Sequence, residues 1–212
     1  MQEFTDLIEK AKSVFDQRTA VRDQALVQAR QLTRLAAHTI RAIHRDEADT
    51  AQSLLSEARV LTLNIQRDLA SYPDVYYAGY TQDAIKEFAE ANLTVALILN
   101  QPLPTPEELG IEYAAYLNGL AETIGELRRK CLDILRQGYS EDAERLLATM
   151  DEIYNVLVTM DYPDAITNGL RRQTDLVRGI IERTRADLTL SLREQHLQEA
   201  LLKFSDRFPG FQ

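Results

Sequence analysis

RQLTRLAAHTIRAIHRDEADT occupies residues 30–50, and its reading decides the fold. Apolar positions at Leu35, Ile40 and Ile43 recur at helical spacing, and the acidic cluster DEADT (46–50) then breaks the pattern. No Gly or Pro occurs before Pro73. Two long helices therefore fill the first third of the chain. The first runs from about Phe4 to Ile43, with Ile8, Phe15 and Leu26 also on its apolar side, and the second ends near Leu69.

The same reasoning continues outward. SYPDVYYAGY (71–80) is a connector holding Pro73 and Gly79. A third helix covers about Thr81–Leu99. The loop NQPLPTPEELG (100–110) ends in Thr105-Pro106-Glu107-Glu108, a capping box with Pro at the first helical position. The fourth helix spans about Ile111–Gln137 and stops at Gly138; a fifth starts at Ser140 and ends near Thr159. DYPDA (161–165) separates it from a last helix over about Ile166–Phe204. No strand alternation is present. The expected fold is all-α, one domain over 1–212, built from six to seven long antiparallel helices whose remaining apolar surface favours an oligomer.

Composition narrows the function. At 45% hydrophobic residues over 212 positions, the chain can build a core rather than remain disordered. One cysteine excludes an intrachain disulfide and a cysteine-based zinc site. No apolar run approaches the length of a membrane span, and the acidic start MQEFTDLIEKAK is unlike a signal peptide, so a cytoplasmic location is expected. The net charge of −9 argues against non-specific coating of nucleic acid but leaves room for a local basic strip.

Two acidic stripes carry the functional question. In QDAIKEFAEA (82–91), Asp83, Glu87 and Glu90 share a side of the third helix with Tyr80 and Thr94. In AETIGELRRKC (121–131), Glu122 and Glu126 share a side of the fourth with Asn118, Arg129 and Asp133. Periodicity alone reads both as solvated faces. Gly119 and Gly125 flank the second pair at a cost to the helix, which suggests close approach of another group. Together, two carboxylate pairs would make a hard-oxygen site for Mg²⁺ or Mn²⁺. A di-iron bundle would need Glu-x-x-His, and no histidine follows either pair at that spacing.

The stretch YLNGLAETIGELRRKC (116–131) resembles the translin/TRAX family, and its TRAX branch, through Tyr116, Leu117, Gly119, Ala121, Gly125, Glu126, Leu127, Arg129 and Cys131. KEFAEA (86–91) is similar to the family's Glu-x-x-Glu segment. RQLTRLAAHTIRAIHR (30–45) matches a further stretch through Arg30, Thr33, Thr39, Ile40, His44 and Arg45. The resemblance runs from about residue 10 to 195.

It implies a translin-like α-superhelical bundle of about seven helices, assembled as a hollow, barrel-like homo-octamer. For the TRAX branch it further implies Mg²⁺-dependent (or Mn²⁺-dependent) endoribonuclease activity on single-stranded RNA. By this resemblance Glu87, Glu90, Glu122 and Glu126 are the catalytic and metal-holding residues. Glu122 stands where the branch has aspartate, one methylene shorter. A face turned from its own core can then line a hollow interior, both wet and functional.

Arg30, Arg34, Arg41 and Arg45, close together around the first helix, are either phosphate contacts or a solvated charged face; Arg129 is expected to bind phosphate or to pair with Glu126 or Asp133, and Tyr80 is the candidate for base stacking. Two other readings stay open: a translin-like oligomer that binds single-stranded RNA or DNA without cutting it, and a helical scaffold.

Overall fold

A computed structural model describes residues 2–207, and every regular element among them is helical. The elements are α1 (Gln2–His44), α2 (Ala48–Leu69), α3 (Pro73–Tyr76), α4 (Gly79–Ile98), α5 (Pro106–Leu109), α6 (Tyr113–Leu135), α7 (Glu141–Leu157), α8 (Asp164–Thr167) and α9 (Leu170–Arg207). The expected all-α fold is thus observed. The long helices begin and end within a few residues of their predicted bounds.

The differences lie in the connectors. The expected 71–80 connector contains α3, which Pro73 opens at its first position. The capping box at the end of the 100–110 loop opens a short helix of its own, α5. Thr105 caps α5 through the full capping box with Glu108, and Gly110, at φ 69°, turns the chain before α6 begins. α8 and α9 are likewise separate, because Asn168 and Gly169 both adopt left-handed backbone, at φ 51° and 81°.

The chain divides into two compact units, residues 1–92 with 104–116, and 93–103 with 117–212. In the first, α1 and α2 pack along each other in antiparallel directions. Asp46, at φ 61°, closes the turn between them. Small side chains, Ala25, Ala29 and Ala36 on α1 and Ala51 and Ala58 on α2, let the helices approach, with Leu32, Ile43 and Ile65 filling between. Gln17 donates to Tyr72 at 2.7 Å and Gln28 to Asp68 at 2.9 Å, fixing the far end. Arg59 donates to the Glu108 carbonyl at 2.6 Å and Gln66 to that of Gly110, tying α5 to α2. The N-terminal half of α1 departs from expectation. Ile8 and Phe15, read as apolar-side positions, are exposed, and the buried side chains begin at Ala25.

In the second unit α7 packs on α9, and Leu127, Leu146, Met150, Leu157 and Leu170 are fully buried. Arg185 grips Asp151 bidentately at 2.6 and 2.7 Å. Arg145 pairs with Asp142 and donates to the Leu97 carbonyl at 3.1 Å, satisfying the C-terminal end of α4. Ser140 caps α7 as predicted, accepting from the Asp142 amide, and Gly138, at φ 114°, ends the α6 segment.

Candidate functional site

In α4 the acidic residues are not equally wet. Asp83 is exposed, Glu87 half-buried, and Glu90 only 8% exposed. One carboxylate oxygen of Glu87 and one of Glu90 lie within 4.8 Å. Residues three apart on a helix sit on adjacent turns of one face, which is why the pair forms from sequence spacing alone. Bringing two carboxylates together costs energy, and Lys86 offsets part of it, with Nζ 3.7 Å from Glu87. Tyr80, in the first turn of the same helix, is half-buried.

In α6 the second pair, Glu122 and Glu126, is also half-buried. Gln173 on α9 donates to Glu122 at 3.0 Å, and Arg129 approaches Glu126 at 3.6 Å. Asn118, one turn before Glu122, is buried and donates to the Thr167 carbonyl at 2.7 Å. Two wet helix faces, the reading from periodicity, would leave these carboxylates open. Only Asp83 fits that description.

One further expectation fails here. At Gly125 a Cβ would meet nothing within 4 Å, so no neighbour approaches that position. Cys131 is core: its thiol is fully buried beside the Ala143 carbonyl, and burial pushes its pKa up to about 12.

The arginines behave differently. Arg30, Arg34 and Arg41 are exposed on the side of α1 opposite Leu32, Ala36 and Ile40, and Arg45 is exposed in the turn just after it. None of them joins an ion pair among the described residues. Arg30, Arg34 and the exposed His38, with Val27, Gln31 and Leu35, line an open depression of about 390 Å³.

Lys86 and Gln173 are site neighbours that periodicity did not single out. Lys86 was visible as the residue beside Glu87. Gln173 lies 51 residues from Glu122, and no local pattern links them.

Long helices, two of which carry a buried or half-buried carboxylate pair, define the class. No family model matches the chain. An uncharacterised protein of Methanocaldococcus jannaschii is 33% identical over 186 residues, covering 86% of this chain and 81% of that protein. Among solved structures, AfC3PO in complex with duplex RNA is 31% identical with a TM-score of 0.81, covering 88% of this chain and 97% of the other. AfC3PO without RNA gives a TM-score of 0.80 at the same identity and coverage. Apo-NeC3PO, at 22% identity and a TM-score of 0.79 over 87% of this chain and 96% of that one, shares the fold. The chain belongs to the translin/TRAX family, in its prokaryotic TRAX-like form.

No helix among the described residues is long and apolar enough to cross a membrane.

Proposed function

We propose that this protein is a metal-dependent endoribonuclease that cuts single-stranded RNA inside a hollow homo-oligomer, an octamer by family resemblance. Glu87, Glu90, Glu122 and Glu126 hold a divalent cation, Mg²⁺ or Mn²⁺. The observation that carries this reading is the close Glu87–Glu90 carboxylate pair in a chain similar to AfC3PO, which has been solved with duplex RNA.

The donor set fits a hard cation. All four side chains are carboxylates, with no histidine or cysteine in either motif. Their partial burial also favours an ion, since charges withdrawn from water gain most from a counter-charge. When bound, the ion would activate water and neutralise the leaving oxygen of a phosphodiester. The protein's own work is positional. Gln173 fixes the Glu122 carboxylate by hydrogen bonding. Arg30, Arg34, Arg41 and Arg45 are open to phosphates, Arg129 faces them beside Glu126, and Tyr80 offers a ring to a base.

The alternative is a translin-like oligomer that binds single-stranded RNA or DNA without cutting. Its support is that Lys86 pairs with Glu87 and Gln173 hydrogen-bonds Glu122, protein partners that could hold these acids for a structural role. Cleavage of a short labelled RNA, single-stranded and duplex, with Mg²⁺, Mn²⁺ or EDTA separates the two. Glu87→Gln and Glu126→Gln are expected to lower cleavage at least a hundredfold while RNA affinity stays within about twofold, since an amide keeps the shape but ligates poorly. Both variants should be no less stable without metal, because each relieves repulsion. Full metal-dependent cleavage by both would remove the acids from the mechanism.

A further inference from the structure

The described residues include eight buried threonines: Thr39, Thr62, Thr81, Thr94, Thr123, Thr167, Thr174 and Thr184. Seven of them donate their hydroxyl to a backbone carbonyl, in six cases that of the residue four earlier. This is the usual way a helix absorbs a buried threonine. Thr94 is the exception. It is 0% exposed, yet its Oγ1 has no hydrogen-bond partner. Thr94 makes no such bond to the carbonyl four residues earlier on α4. A buried hydroxyl left unsatisfied is costly and calls for an explanation, such as an ordered water.

Position on α4 indicates that partner. At about 100° per residue, Thr94 lies about 40° around the helix from Glu90 and about 20° from Glu87. Helical side chains lean toward the N-terminus, so Thr94 overhangs the turn that carries Glu90. The orphaned hydroxyl therefore belongs to the same face as the close Glu87–Glu90 pair.

We propose that Thr94 is a positioning residue of the divalent-cation site. Its hydroxyl hydrogen-bonds a water that is retained when the cation binds, and through that water it orients the Glu90 carboxylate. The inference rests on the metal-site reading above. It assigns Thr94 no bond to the ion and no proton transfer.

The experiment is a thermal melt of the intact assembled protein against Mn²⁺ concentration, for wild type, Thr94→Val and Thr94→Ser. Metal bound only by the folded state raises Tm by mass action. Valine keeps the shape and removes the hydroxyl; serine keeps the hydroxyl. Thr94→Val should need about 3- to 10-fold more Mn²⁺ for the same rise, the range of one neutral hydrogen bond. Its metal-free Tm should equal or exceed that of wild type, since an unpartnered buried hydroxyl is gone. Thr94→Ser should titrate within about twofold of wild type.

Identical Mn²⁺ titrations for wild type and Thr94→Val would overturn the role of Thr94 and leave the acidic site intact. No Mn²⁺-dependent rise in wild type would overturn the metal-site reading, and this inference with it. Should the valine variant not fold, Thr94→Ala takes its place, and wild-type metal affinity in that variant overturns the proposal equally.

Discussion

Along α1 the arginines 30, 34 and 41 stand on the open side, away from a buried side of Ala25, Ala29, Leu32, Ala36 and Ile40, and Arg45 follows in the exposed turn. Along α6 the charged groups Glu122 and Glu126 are half sunk, and each has a named neighbour, Gln173 or Arg129. On a helical wheel the two stripes look alike. What separates them is solvent. An exposed charge with no partner costs nothing to keep and is available to a passing phosphate. A half-buried charge is paid for by neighbours, and it responds to any new counter-charge.

Three measurements sharpen or break that contrast, beyond the acid and threonine substitutions above. The largest effect is expected at Cys131, on the deepest side of α6. With its pKa raised from 9.0 to about 12 by burial, the thiolate is about a thousandfold scarcer at pH 8 than in the unfolded chain. Iodoacetamide labelling should therefore be slower in the folded protein by at least that factor. The folded state favours the neutral thiol, so this contribution to stability is whole below pH 9.0 and is lost as pH rises toward about 12. Labelling at an ordinary thiol rate would show that this side of α6 opens.

An intermediate effect is expected on α1. Replacing Arg30 and Arg34 together by Gln should reduce the slope of log affinity for RNA against log salt by about 1.4 to 1.8, the value for two phosphate contacts. Tm should barely move, since exposed substitutions away from any ion pair stay within about 0.5 kcal/mol. An unchanged slope would make the stripe an ordinary wet face.

The smallest effect belongs to Gly125. A methyl there meets open space, so Gly125→Ala should stabilise the protein by up to about 1 kcal/mol through helix propensity, measured by denaturant melts. A loss of stability would reveal a neighbour at this point of α6 that belongs to another molecule.

How much of this the sequence disclosed depended on distance along the chain. Helix breaks at Pro73, Thr105 and Gly138, and the Ser140 cap, were legible because a proline, a capping box, a glycine or a serine acts within one turn. The spacing of Glu87 with Glu90 was legible for the same reason. The break at Asn168-Gly169 was not, since a left-handed asparagine leaves no periodic trace. Burial of Glu90 was hidden as well, because a wheel drawn for one helix cannot know what covers it. Nor could any local rule distinguish Thr94 from the threonines that bond their own helix.

The open first half of α1 has a consequence of its own. Phe4, Leu7, Ile8, Val14 and Phe15 are each more than half exposed. Apolar surface held in water carries a standing free-energy cost of about 25 cal/mol per Å². A helix segment of this kind, supported only by its own hydrogen bonds, is marginal by itself. In a dilute single chain its amides should exchange with solvent far sooner than those from Leu32 to Ile43, which share the fold's own protection. Slow exchange there, and exchange that quickens on dilution, would show that another surface covers these first turns.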